Sequence, residues 1–203
     1  MTQEVLIPKM KRLDKSQRKI KIPLLNFVIV IFCTILITVA SFVNLNIKHF
    51  ILPMSIFSIK NPTLEDFVFS FYLIPQIPIV MFVCAALGRK MALTSVVLYI
   101  LAGLSFAPIF GLGGGIKYIF EYGFGYILAY IPAVIIAGLL LKKYTFPRMI
   151  GAAFTGVLTI HIIGILYMIV IALFKHSGAG FIGGWITAQS GLKIVYDIIA
   201  SFL

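Results

Sequence analysis

Six apolar stretches, at 23–43, 67–88, 91–107, 122–141, 149–174 and 185–203, take up most of this 203-residue chain. Each approaches the roughly 20 residues that a helix needs to cross the hydrocarbon core of a bilayer. No segment outside them is long enough for a soluble domain of any size. The chain therefore reads as an all-α integral membrane protein, a six-transmembrane-helix bundle at 23–203 preceded by a basic N-terminal segment at 1–22. Charge usage agrees: 11% of residues are charged and 61% hydrophobic, against about 25% and 45–50% in soluble domains, and mean hydropathy is +1.10. The stretch 44–66 is mixed, with Lys48, His49, Pro53, Lys60 and Pro62. It is expected to be an outer connection that dips into the membrane.

The basic residues orient the bundle. Seven (Lys9, Lys11, Arg12, Lys15, Arg18, Lys19, Lys21) precede the first span, Arg89 and Lys90 separate the second from the third, and Lys142, Lys143 and Arg148 separate the fourth from the fifth. These twelve lie on one side, against Lys48, Lys60, Lys117 and Lys175 on the other. The positive-inside rule then places both termini in the cytoplasm of a multi-pass cell-membrane protein. The net charge of +11 reflects topology and attraction to anionic lipid headgroups. Nucleic acid is not an expected partner, since no basic domain stands outside the bilayer. The first span is too long for a signal-peptide core and no A-x-A-like site follows it, so it is read as a retained helix.

Chemistry is sparse. There is no G-x-x-x-x-G-K-[ST] loop, no H-E-x-x-H, and only six acidic residues: Glu4, Asp14, Glu65, Asp66, Glu121 and Asp197. An enzyme of the membrane needs clustered acids, histidines or a nucleophile with its base, and none is present. Cys33 and Cys84 lie inside apolar spans, with no metal-ligand spacing. Neither an enzyme nor a cofactor is expected. Paired repeats with broken helices, common in secondary transporters, are not evident either. A small solute-binding subunit that borrows its energy from elsewhere fits better.

The loop 111–121 is the most distinctive connection. Gly111, Gly113, Gly114 and Gly115 are followed by Lys117 and Glu121, two isolated and opposite charges. Glycines permit close backbone approach and positive φ, as a loop folded over a small molecule requires; a merely tight connection is the alternative. By the charge count this loop is outside, which puts a ligand site near the extracellular face.

Several motifs together resemble the BioY family: LIPQIPIVMFVCAALG at 73–88, LYILAGL at 98–104, PIFGLGGG at 108–115, EYGFGYILAYIPA at 121–133 and IHIIGILY at 160–167. The resemblance is closest to the family's cyanobacterial-type branch and extends over about 73–197. It implies the biotin-binding S component of an energy-coupling-factor (ECF) transporter. Its implied partners are biotin, a transmembrane T component and two ABC-type ATPases, with membrane lipid around it. Another small vitamin, or a non-transporting membrane scaffold with the same fold, is the alternative reading. Departures are visible: where Gly-Pro-Thr-Gly-Gly-Tyr is common, residues 121–126 read EYGFGY, and the loop lacks the arginine that many members carry. Near the end, Lys193 precedes Asp197, whereas the family often shows Pro-Gly-Asp and then a lysine.

Biotin presents a ureido group and a carboxylate, so its pocket needs an acceptor for N–H groups and a cation among apolar walls. The residues of those kinds are Gln76, Lys117, Glu121, Lys193 and Asp197; Gly113, Gly114 and Gly115 are expected as the loop over the ligand and Tyr126 as a wall. Tyr118, Tyr122 and Phe124 extend that aromatic wall. Lys193 and Asp197, spaced i, i+4 on one helix face, form either an ion pair that locks the helix or a ligand contact. His161 is expected to pack by hydrogen bonding or to touch the ligand. Trp185 reads as an interface anchor, Pro75 and Pro78 as a kink beside Gln76, and Gly151, Ala152 and Gly156 as a close-packing stripe.

Overall fold

The computed structural model describes residues 15–50, 67–105 and 108–202. Most of the basic N-terminal segment (1–14, with Lys9, Lys11 and Arg12), the distal part of the mixed connection (51–66), residues 106–107 at the end of the third expected span, and Leu203 lie outside them. Helix α1 (Lys15–Phe42) leads into strand β1 (Leu45–Phe50), and strand β2 (Val68–Leu73) precedes α2 (Gln76–Ser105). A 3₁₀ turn (Ile116–Phe120) is followed by α3 (Phe124–Leu128), α4 (Tyr130–Leu140), α5 (Phe146–Phe174) and α6 (Ala179–Phe202). By length and composition, Leu24–Phe42, α2 and α5 are long and apolar enough to cross a membrane, and Phe124–Leu140 is a shorter apolar helix. Lipid-facing side chains such as Phe32, Phe82, Leu101, Leu166 and Val170 are exposed on the helix surfaces.

Two expectations change. The second span was placed at 67–88, but Val68–Leu73 is a strand, paired antiparallel to Leu45–Phe50 with Leu45 opposite Leu73 and Phe50 opposite Val68. Part of the mixed connection is therefore half of a β-ribbon. Aromatic and β-branched residues in VFSFYL favour the extended chain. Pro75 and Pro78 do not kink a helix. They stand just before α2 and in its first turn, where N–H groups have no intrahelical partner and proline costs nothing.

The expected spans 67–88 and 91–107 contribute to one element, α2, broken at Gly88, whose φ of 79° and ψ of 166° interrupt the helix. Gln76 Nε2 lies 2.7 Å from the Tyr99 hydroxyl, whereas a straight helix would separate them by about 34 Å at 1.5 Å per residue. Element α2 is thus a hairpin of two helical arms reversed at Gly88, a conformation that only glycine adopts freely. Its second arm packs on α1, where Thr34 Oγ1 donates to the Ser95 carbonyl at 3.2 Å. Farther along, Pro132 has no N–H to return to Leu128, and the helix divides at Ala129 into α3 and α4.

The interior is built by close approach. Gly125 of α3 lies under Tyr167 of α5, and Gly164 of α5 under Tyr126, where an added Cβ would come 2.5 Å from the ring. Gly156 takes Met81 of α2 in the same way. Small residues let backbones approach where lipid supplies no hydrophobic drive between helices. Val80, Val134, Val157 and Ile160 are fully buried at the centre of this packing.

Candidate functional site

A cavity of about 310 Å³ opens where the end of α1, the base of the β-ribbon, the start of α2, the glycine loop, α3, the start of α4 and the stretch of α6 from Trp185 to Lys193 meet. Its wall includes Ser41, Asn44, Gln76, Gly111, Tyr118, Tyr126, Tyr130, Trp185, Gln189 and Lys193, with Ile74, Ile77 and Ile127 as apolar patches. Three of the expected ligand residues, Gln76, Tyr126 and Lys193, therefore line one space although they are distant in sequence.

Gln76 is held in place by its neighbours. Its Nε2 donates to the Tyr99 hydroxyl at 2.7 Å and to the Ile37 carbonyl at 3.5 Å, and its Oε1 accepts from Tyr130 at 3.0 Å. An amide oxygen carries two lone pairs, so Oε1 retains one for a ligand N–H. Gln189 lines the same wall with no side-chain hydrogen bond among the described residues. Trp185 Nε1 is a buried donor beside the Tyr126 hydroxyl; it makes no well-formed hydrogen bond among the described residues, which leaves it able to turn to a ligand acceptor. Trp185 was expected to be an interface anchor; it instead packs on Tyr122 and Phe181, at centroid distances of 5.4 Å and 5.9 Å, and faces the cavity.

Lys193 is the lone charged side chain among the lining residues. Its Nζ lies 3.4 Å from Asp197 Oδ2. Asp197 is fully buried behind it and also lies 3.1 Å from His161 Nε2. Beyond the imidazole, Nδ1 is 2.9 Å from Ser190 Oγ, which is 2.8 Å from the Tyr126 hydroxyl. A carboxylate only accepts, so Nε2 carries a proton and donates to Asp197. In the neutral tautomer Nδ1 then accepts from Ser190, and Ser190 accepts from Tyr126. With the imidazole in that tautomer, one directed chain runs from the cavity wall to a buried carboxylate that also balances Lys193. Asp197 Oδ1 has no hydrogen-bond partner among the described residues. Both readings of the i, i+4 pair meet here: Lys193 and Asp197 form an ion pair, and Lys193 borders the cavity. His161 packs by hydrogen bonding and does not line the space.

Helix α6 is interrupted at this level, with Gly191 at ψ −110°. The interruption separates Trp185 and Gln189 on the N-terminal segment of α6 from Lys193 and Asp197 on the C-terminal one.

The glycine loop meets the cavity through Gly111. An added Cβ there would lie 2.5 Å from the Ser41 carbonyl oxygen. Gly113 and Gly115 have φ of 138° and 81° and, with Gly114, are not among the lining residues. The loop is anchored by the fully buried Phe110, whose ring lies 5.3 Å from Tyr99, 4.8 Å from Tyr118 and 6.2 Å from Phe124. Burial pushes the Tyr118 phenol above its ordinary pKa, and the Glu121 charge adds to the shift. The structure does not bring Lys117 or Glu121 to the cavity. Lys117 is exposed, and Glu121 faces Lys175 at 3.9 Å, whose ammonium stands 4.5 Å from the Tyr122 ring centre. That pair ties the loop to the end of α5.

Residues that the sequence reading did not nominate as ligand contacts are Ser41, Asn44, Tyr130 and Gln189. Ser41 and Asn44 stand at a helix end and a strand start, which sequence spacing does not bring together with α6. Tyr130 had a usable signal, as a tyrosine one turn after Tyr126.

Fold and cavity together define a helical membrane protein with a solute-sized, polar-edged site at one end of its bundle. The chain belongs to the BioY family, whose profile matches residues 11–203, well beyond the 73–197 over which the motifs resemble it. A stretch of 98 residues, 47% of the chain, is 30% identical to the probable biotin transporter BioY of Lysinibacillus sphaericus and spans 50% of it. The chain thus matches about half the length of that curated relative. The fold is similar to the crystal structure of the S-component for biotin from an ECF-type ABC transporter, with a TM-score of 0.59, 15% identity, and coverage of 94% of this chain and 93% of that one.

Proposed function

We propose that this protein captures biotin as the membrane-embedded S subunit of an ECF-type ABC transporter, and is a transporter component rather than an enzyme. Family membership supports the class, and the observation that carries the ligand is Lys193, one cation in a cavity otherwise edged by amides, hydroxyls and apolar walls. In this reading Lys193 meets the biotin carboxylate, and Gln76 Oε1 accepts a ureido N–H. Tyr126 walls the bicycle, and Asp197 holds Lys193 in position. Gly113–Gly115, Lys117 and Glu121 act through the shape and anchoring of the loop. Six membrane-crossing segments follow if each arm of α2 spans once and α3 with α4 spans together. The charge asymmetry then sets both termini in the cytoplasm of a plasma-membrane protein, with the cavity facing outward.

Titration of detergent-purified protein tests the ligand. Biotin should bind, and an analogue without ureido N–H groups should bind far more weakly, because a site built to pair those groups is left with unpaired polar atoms. Equal binding of the two refutes the acceptor assignment, and preference for a different vitamin refutes the substrate. The described inner connections are short and hold no phosphate-binding loop, so concentrative uptake should need a T component and two ATPases. Co-purification on co-expression is expected; ATP-driven biotin accumulation in vesicles holding this chain alone refutes the dependence.

A further inference from the structure

The end of the bundle opposite the biotin cavity carries two more hollows. One, of about 320 Å³, is lined by apolar side chains including Met81, Phe82, Ala137, Ala152 and Phe202. The other, of about 330 Å³, surrounds the reversal at Gly88 and is edged by Arg89, Lys90 and Lys142. They draw on consecutive residues of the same helices: Ala86 and Leu87 of α2, then Ala137 with Gly138 and Leu141 with Lys142 around α4. One hollow suits a hydrocarbon chain and the next an anion.

These cations have no carboxylate counter-charge among the described residues. The carboxylates among the described residues are Glu121 and Asp197, and both are taken elsewhere, by Lys175 and by Lys193 with His161. Arg89, Lys90 and Lys142 therefore have no carboxylate partner among the described residues. In the apolar hollow, Ser201 Oγ is buried and has no hydrogen-bond partner.

We propose that this end of the protein is a binding site for one anionic phospholipid, its phosphate between Arg89, Lys90 and Lys142 and one acyl chain in the apolar hollow. Charge complementarity selects the occupant. A neutral lipid leaves the cations unmatched, and free phosphate leaves the apolar hollow unfilled. Basic residues at a membrane surface attract anionic headgroups, and here a shaped apolar recess beside them supplies the second half of a lipid. The Gly88 reversal makes the site by setting Arg89 against Gly138 of α4, where a Cβ on the glycine would lie 2.6 Å from the arginine Cβ.

The test uses the full chain in a neutral detergent, with lipid binding read by native mass spectrometry and by thermal midpoint. Dioleoyl phosphatidylglycerol should bind at one equivalent and at least tenfold more tightly than dioleoyl phosphatidylcholine. Lys90→Gln with Lys142→Gln should erase that preference while leaving phosphatidylcholine binding and biotin affinity as in the parent. Ala86→Trp, at an exposed position on the apolar hollow, should weaken both lipids. Inorganic phosphate should raise the thermal midpoint far less than phosphatidylglycerol. Equal affinity of the two lipids for the parent, an unchanged preference in the double variant, or phosphate matching the lipid would each overturn the proposal. So would stoichiometric displacement of the lipid by T and ATPase subunits, which would make the face a protein interface.

Discussion

Replacing Gly111 by alanine isolates the place where the glycine loop meets the cavity. The new Cβ would stand 2.5 Å from the Ser41 carbonyl oxygen at the end of α1, roughly 1 Å inside ordinary van der Waals contact. A backbone carbonyl cannot swing aside as a side chain can, so the loop must lift. Ser41 Oγ shares its one proton between the Thr38 carbonyl at 2.7 Å and the Ile109 carbonyl at 2.9 Å, and lifting the loop strains the second contact, worth at most about 1 kcal/mol. Ser41 and Gly111 both line the cavity, so its wall moves as well. Biotin affinity should fall tenfold or more, equivalent to about 1.4 kcal/mol. Gly115→Ala is the control. Its φ of 81° disfavours alanine, yet a Cβ there meets nothing within 4 Å, and Gly115 does not line the cavity. With ψ at 171° the backbone lies in a region that is essentially glycine's alone, so the variant should lose about 1–3 kcal/mol of stability and keep its affinity. The assay is calorimetric titration with biotin beside a thermal melt of each variant. If Gly111→Ala binds as tightly as the parent, or both variants lose affinity alike, close approach at Gly111 is not what shapes the site.

Three other outcomes are expected. Lys193→Met should weaken biotin about tenfold to a hundredfold, in line with a charge-assisted hydrogen bond of roughly 1.5–3 kcal/mol, but should hardly change the affinity of biotin methyl ester; parallel losses for acid and ester would remove the lysine from carboxylate recognition. Ser190→Ala strands His161 Nδ1 and the Tyr126 hydroxyl inside the bundle and should cost about 1–3 kcal/mol, seen as a lowered thermal midpoint; an unchanged midpoint would mean the chain of hydrogen bonds is not formed. Gly125→Val meets the Cβ of Tyr167, an atom that no rotamer moves, and should destabilise by about 1–3 kcal/mol; a variant as stable as the parent would show that α3 and α5 do not lie this close.

Helical segments were legible because apolar runs of membrane length admit few other structures; of the expected close-packing stripe, Gly156 meets Met81, whereas a Cβ on Gly151 would meet nothing within 4 Å. The β-ribbon was not, because VFSFYL is apolar enough to read as the start of a span, and its pairing partners lie 18 to 28 residues earlier. For the site, the residue types a biotin carboxylate and ureido group require were readable, and Gln76, Tyr126 and Lys193 do share a cavity. Lys117 and Glu121 were nominated by chemistry alone. Whether a loop charge points inward depends on partners such as Lys175, at the far end of α5, which local sequence does not reveal. The chain from Tyr126 through Ser190 and His161 to Asp197 joins three helices, so no spacing rule could have assembled it.

The break at Gly191 makes α6 two short rods rather than one long rod. The non-helical backbone at Gly191 lets the two rods follow different axes. The N-terminal rod carries Trp185 and Gln189 and is pinned near its end by Ser190, through His161 and Tyr126. The C-terminal rod carries Lys193 and Asp197, held in the interior by charge. A hinge at Gly191 is expected to let the Trp185 and Gln189 side of the wall move relative to Lys193, which lines the same cavity. Amide protons at 179–190 should exchange with solvent sooner than those at 193–202, and an occupant touching both rods would slow the first set by bridging them.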